Sequence, residues 1–229
     1  MGCKKEGSYL CEDCRSLLDI NEFNYCLCNP NPTRILPNQL TGKCHRCRDK
    51  KLSGLYFALP YKEKALTKKL IHQFKYKPYL KDLAETIASI LIEHFIKTEK
   101  NTDEIWENSV LVPVPLHAKK IRERGYNQSE ELAKELSKVL QIPVISNVLV
   151  KTKSTESQMT LKKEAREKNL LGAFAIKKCG TSDIPHFSGK KIFIVDDVYT
   201  TGSTMNECAK ILKQAGAKSI WGICIAREG

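Results

Sequence analysis

The sequence predicts an α/β fold with a mainly parallel sheet, preceded by a small cysteine-rich module. Three observations carry that prediction. From about residue 55 onward, short apolar and β-branched runs alternate with segments of helical period, the pattern of strands joined by helical crossovers. Seven of the ten cysteines fall within the first 47 residues, where no such period is found. In KIFIVDDVYTTGSTM (residues 191–205) an apolar run meets two adjacent carboxylates and then a hydroxyl-rich loop around one glycine.

Residues 1–52, rich in Cys, Asn, Pro and charge, form the module, and residues 53–229 the α/β domain. Leu55 to Tyr61 reads as a strand. Leu66, Leu70, Ile71 and Phe74 mark a helix that Pro78 stops, and Leu83, Ile87, Ile90, Leu91 and Phe95 mark a second. Thr98 to Asn108 is polar and reads as a loop. Val110 to Pro115 is a buried strand, and Asn127 caps a helix to about Leu140, with Glu130 completing a box-like start. Val144 to Val150 is a short strand. Lys151 to Lys168 lacks an apolar stripe and reads as a mobile loop leading into a helical turn. Gly172 to Ile176 is a strand, Lys178 to Ser188 a loop, and Lys191 to Val198 the central strand. Ser203 to Ala215 is a helix stopped by Gly216, and Ser219 to Ala226 a further strand.

The chain has 229 residues, 41% hydrophobic and 28% charged, as in soluble globular proteins. No apolar run approaches the roughly 18 residues of a membrane span, and no secretion signal is visible, so we expect a cytoplasmic protein without membrane insertion. The formal charge of +12 is uneven: residues 110–191 carry +8 and residues 192–229 carry none. A basic region of this size favours a polyanionic partner, either a phosphorylated small molecule or nucleic acid.

The early cysteines are Cys3, Cys11, Cys14, Cys26, Cys28, Cys44 and Cys47. Close C-x-C and C-x-x-C pairs suit a tetrahedral zinc ion, each pair reaching the metal from a tight turn. Cys26, Cys28, Cys44 and Cys47 make one complete set, which leaves Cys3, Cys11 and Cys14 one ligand short of a second. Alternatively, Cys11 and Cys14 join one later pair in a single site. One or two structural zinc ions, stapling a region that lacks its own core, are therefore expected.

Ligands of open α/β sheets sit beyond the carboxyl ends of the strands. A strand-to-helix loop of Thr200, Thr201, Gly202, Ser203 and Thr204 offers backbone N–H groups and hydroxyls to a phosphate dianion. Asp196 and Asp197 cannot hold that same anion and must face another part of the ligand, such as sugar hydroxyls. A ribose 5-phosphate satisfies both halves. Neither G-x-x-x-x-G-K-[ST] nor G-x-G-x-x-G is present.

VDDVYTTGST (195–204) closely resembles the signature of the type I phosphoribosyltransferases. With VPVPLHAKKIRERGYNQ (112–128), the Thr155–Gln158 and Arg166–Asn169 segments, Gly172–Phe174 and the cysteine-rich start, nearly the whole chain resembles the ComF family. That resemblance implies a type I phosphoribosyltransferase-like domain, a zinc module, and Mg²⁺-dependent binding of phosphoribosyl pyrophosphate. Asp196 and Asp197 would be the catalytic pair on the ribose hydroxyls, and Thr200 to Thr204 the 5-phosphate cradle. Pro115, Leu116, Lys119, Lys120, Arg122 and Arg124 would receive pyrophosphate. Residues 151–166, with Lys151, Lys153, Gln158 and Arg166, would form the loop that closes over the site. Lys120, Lys151 and Lys153 stand where the family pattern leads us to expect arginine, which keeps charge but loses the planar two-pronged contact. The resemblance also implies handling of single-stranded DNA in natural transformation and partners in the DNA-uptake machinery.

No acceptor can be read from the sequence. An active phosphoribosyltransferase of nucleotide salvage or amide transfer stays open as an alternative, as does a zinc-stapled interaction module.

Overall fold

The structure, a computed structural model, describes residues 9–36, 41–61, 66–98, 102–153, 170, 172–177 and 187–228. Its centre is a four-stranded, all-parallel sheet of β1 (Gly54–Pro60), β2 (Ser109–Pro113), β5 (Lys191–Tyr199) and β6 (Ser219–Arg227), in the order β1-β6-β5-β2. Two short strands, β3 (Leu149–Lys151) and β4 (Phe174–Ile176), pair antiparallel beside it.

Alternation along the central strands assigns each side chain to a face. Leu55, Phe57, Val110, Val112, Ile192 and Ile194 point to one apolar layer. Tyr56, Ala58, Leu111, Phe193 and Val195 point to the other. The second layer is closed by α2 (Leu66–Lys75), α3 (Leu83–Thr98) and α6 (Gln128–Leu140), whose apolar stripes supply Leu70, Ile87, Leu91 and Leu132. The first layer is closed by α7 (Ser203–Gln214), through Met205, Cys208 and Leu212, and by the cysteine-rich segment, through Leu27, Ile35 and Leu52. That segment therefore covers one face of the sheet where a helix would otherwise lie.

The expected strand and helix order holds, with several local differences, one of them a short helix, α5 (Ala118–Arg124), between β2 and α6. The polar stretch after α3 contains a short helix, α4 (Thr102–Trp106), whose Trp106 ring meets Phe95 edge-to-face and Phe193 at a tilt. A single ring in the core anchors a turn that periodicity could not show. The expected strand Val144 to Val150 is divided. Val144 makes only a bridge to Leu111, and pairing resumes at β3. The cysteine-rich segment also contains α1 (Glu12–Ser16), tied to α3 by Arg15, which donates to Glu93 and Ser89. At α6, Asn127 accepts from Ser129 N, so the cap forms without the box partner. Most of the expected mobile loop, with Gln158 and Arg166, lies outside the described residues, as does Cys3. Among the described residues no helix is long and apolar enough to cross a membrane.

Candidate active site and four-cysteine centre

Because β2 and β5 are parallel neighbours, the turn after β2 and the loop after β5 open on the same edge of the sheet. A cleft of about 340 Å³ lies there. It gathers Pro115, Leu116, Lys120, Lys151, Asp196, Asp197, Thr200, Gly202, Ser203 and Thr204 from the expected site. Thr201 faces a second hollow on the other side of the loop. Lys119, Arg122 and Lys153 are exposed and do not line the cleft, while Arg124 reaches it indirectly, donating to the Gln128 side chain.

Gly202 takes φ +80°, and a Cβ there would stand 2.2 Å from the Tyr199 hydroxyl. The Thr200–Thr204 loop thus lies directly on Tyr199. Gly202 is also the N-cap of α7 and has no side chain to bond the first-turn N–H groups. Ser203 N is met by a side-chain acceptor, Thr201 Oγ1, at 3.3 Å. The result is a helix start without a side-chain cap from its N-cap residue and with hydroxyls on its rim, suited to an anion.

The two carboxylates differ. Asp197 is buried and both its oxygens are engaged: Lys75 Nζ lies 2.9 Å from Oδ1, and Gln128 Nε2 donates to Oδ2 at 2.8 Å. Burial works against its charge, yet Lys75 and Gln128 outweigh it and hold its pKa below the usual carboxylate range. Asp196 accepts from Ser129 Oγ at 3.1 Å and from Asp197 N at 2.9 Å, both on Oδ1. Burial and the neighbouring Asp197 charge push Asp196 up to about 7. For Lys75, burial opposes the charge but Asp197 and Asp196 prevail and raise its pKa. Lys120 and Lys151 are lowered, first by burial and then by neighbouring cations: Lys75 and Arg124 act on Lys120, and Lys120 acts on Lys151. One rim of the cleft therefore concentrates positive charge, with the Thr200–Thr204 loop lining the same cleft.

Lys75, Gln128 and Ser129 were not singled out as site residues from sequence. Gln128 and Ser129 follow the Asn127 cap, whose position was a usable signal, whereas nothing marked Lys75 within a helix of several lysines. The facing wall also carries Tyr61, Ile71, His72 and Tyr76, with the His72 and Tyr76 rings 4.9 Å apart.

On the sheet face beside the phosphate loop, Cys26, Cys28, Cys44 and Cys47 bring their sulfurs within 4.8 Å of one another. The Cys28–Cys44 and Cys44–Cys47 separations are 3.5 and 3.8 Å. Four sulfurs about 2.3 Å from one zinc ion would stand about 3.8 Å apart, so the set fits that metal. Cys11 and Cys14 lie apart from it on α1, whose neighbours Leu10 and Leu18 pack on the opposite layer of the sheet. A single site joining them to a later pair does not form.

A model of the "Phosphoribosyl transferase domain" family matches residues 121–229. The chain is 33% identical over 159 residues to "Competence protein F" of Haemophilus influenzae, covering 69% of this chain and 67% of that protein. It belongs to the ComF family. "DNA utilization protein YhgH" of Escherichia coli is 32% identical over 158 residues, with 69% and 66% covered. "Competence protein ComFC" of Streptococcus pneumoniae is 27% identical but matches over 228 residues, 98% of this chain and 90% of that one. In this ComF-family chain the matched domain includes α6, the acidic pair and the Thr200–Thr204 loop, while the four cysteines lie ahead of it.

Proposed function

We propose that this ComF-family protein binds phosphoribosyl pyrophosphate with Mg²⁺ and handles single-stranded DNA during DNA uptake. The observation that carries the reading is the pairing, across one cleft, of the Thr200–Thr204 loop, set at a helix start around Gly202, with the acidic pair and the Lys120 and Lys151 ammonium groups. The loop suits the 5-phosphate, Asp196 the ribose hydroxyls, and the lysines the pyrophosphate. Asp197, already engaged by Lys75 and Gln128, sets the charge and position of Asp196 beside it. Mg²⁺ would arrive with the pyrophosphate, keeping most of its waters. Residues 1–52 serve as the metal module and 53–229 as the transferase-like domain. The names of the relatives support the link to competence and DNA use, and the basic residues outside the cleft suit a nucleic-acid backbone.

The test is a calorimetric titration of phosphoribosyl pyrophosphate and Mg²⁺ into the protein and into an Asp196→Ala, Asp197→Ala variant, followed by a single-stranded oligonucleotide. Binding lost in the variant is expected, and its persistence would overturn the assignment. Displacement by DNA indicates one shared site, and binding without displacement two.

A second reading, a working transferase, is favoured by the Tyr61, His72 and Tyr76 wall, which offers flat surfaces to an acceptor. Release of pyrophosphate in the presence of a nucleobase or amine would support it.

A further inference from the structure

The four-cysteine centre and the phosphate loop are joined by a dense set of hydrogen bonds. Asn29, immediately after Cys28, donates its side-chain amide to the carbonyl of Thr200, the first residue of the loop, and to Glu228 O at 2.7 Å. Tyr199, the floor under Gly202, donates its hydroxyl to Leu27 O at 3.3 Å, between two of the cysteines. Lys50, three residues after Cys47, donates to the same carbonyl at 2.6 Å and to the Tyr199 hydroxyl at 3.1 Å. The backbone N–H of Lys51 donates to Asn206 Oδ1 on the first turns of α7 at 2.9 Å. Arg227, buried at 2% exposure, donates to the carbonyls of Cys26 and Cys28, lashing the cysteine loop to the end of β6. Both cysteine pairs thus contribute a following residue that grips the phosphate loop or its helix.

These loops have no sheet pairing of their own beyond the Tyr25–Arg34 bridge; Leu27, Ile35 and Leu52 seat them on the sheet and a few turn bonds shape them, so among the described residues the thiol set and these side-chain bonds are what join them to the Thr200–Thr204 loop. We infer that the four-cysteine site holds the phosphate loop in its binding shape, with Asn29 the positioning residue that transmits the state of the thiols to Thr200. The inference rests on the reading that this loop takes a phosphate. Metal in the thiol set fixes the path of Cys26–Asn29, and Asn29 then fixes where the Thr200 carbonyl points and where the N–H groups behind it aim. Coupling of this kind is reciprocal: an anion in the loop must also tighten the metal site.

The test uses the full chain loaded with zinc, and ribose 5-phosphate as the probe. Asn29→Ala should retain one equivalent of metal on the four cysteines and bind the probe roughly tenfold more weakly, the effect of two lost hydrogen bonds. Hydrogen exchange at residues 200–206 should speed up in Asn29→Ala while β5 and β6 stay protected. Chelation of the wild-type protein should reproduce both effects, and chelation of Asn29→Ala should add little. In cobalt-substituted protein, ribose 5-phosphate should shift the thiolate-to-metal absorption in the wild type and leave it unmoved in Asn29→Ala. Tyr199→Phe, which keeps the ring and removes the hydroxyl, provides a second variant should Asn29→Ala fail to fold. Unchanged exchange at 200–206 after chelation and in the variants would overturn the coupling. Absence of ribose 5-phosphate binding to the wild type would instead overturn the phosphate reading, with the exchange arm still deciding the coupling.

Discussion

One wall of the cleft comes from a single stretch of chain, Asp196 to Thr204, of which all but Thr201 line it, whereas the facing wall is gathered from α2, the turn after β2, α6 and β3. The first is held by its own backbone: strand, left-handed glycine and helix start follow in order, and the ligand groups are fixed by chain geometry. The second is held by side chains from elements far apart in sequence, meeting through Lys75–Asp197, Gln128–Asp197 and Ser129–Asp196. A site built locally is robust to changes elsewhere and intolerant of changes within. A gathered wall should show graded effects.

The largest expected effect sharpens the local side. Gly202→Ala places a Cβ 2.2 Å from the Tyr199 hydroxyl at a φ that disfavours alanine, so calorimetry should show phosphoribosyl pyrophosphate affinity reduced more than about 100-fold, with about 2 kcal/mol lost in denaturant unfolding. Next, Lys75→Met leaves Asp197 buried without its cation, and unfolding at pH 7.5 should show a loss of about 2–3 kcal/mol, the Lys75 side chain being 29% exposed. Lys120→Met, on the same wall, should weaken the ligand while shifting stability by under about 1 kcal/mol. Equal effects of the two substitutions would break the distinction between a lysine that supports the acidic pair and one that meets the ligand.

The third prediction concerns pH. Asp196 titrates higher folded than unfolded, so the folded state holds the extra proton. Its contribution is complete below the ordinary carboxylate range and is lost as pH rises to about 7. Buried His94, with its pKa lowered to about 4 by burial, runs the other way: its contribution is present above the ordinary histidine value and lost as pH falls toward 4. Thermal melts of the wild type should therefore vary little between pH 5 and 6.5. Asp196→Asn should melt higher than the wild type above pH 7 and show the unmasked His94 decline below 6.5, while losing ribose binding. The smallest effects lie outside both walls. Removing exposed Lys119 or Arg122 should lower the salt slope of single-stranded DNA binding by about 0.7 each and leave phosphoribosyl pyrophosphate binding unchanged.

The same contrast explains what could be read from the chain alone. DDVYTTGST announced itself because all its chemistry is contiguous, and the paired cysteines because thiolate spacing is itself the signal. Lys75 carries no such mark: it is one of several lysines in α2, and only the long β1-to-β2 connection, passing over β6 and β5, brings its helix end over Asp197. Lys119 and Arg122 show the opposite failing. They share a charged run with Lys120, yet in α5 (Ala118–Arg124) no residue is buried, and only one of these three side chains turns into the cleft. Asn29 and Arg227, which tie the cysteine loop to the phosphate loop, lie too far apart in sequence for any local pattern to join them.

Arg227 also has a temporal consequence. It grips the carbonyl of Cys28, 199 residues earlier in the chain. At about 5–20 residues per second a ribosome makes that stretch in roughly 10–40 s. For that interval the four thiols have emerged while their lashing to β6 does not yet exist. Zinc or an oxidant can therefore reach them on the nascent chain, before there is a cleft to protect.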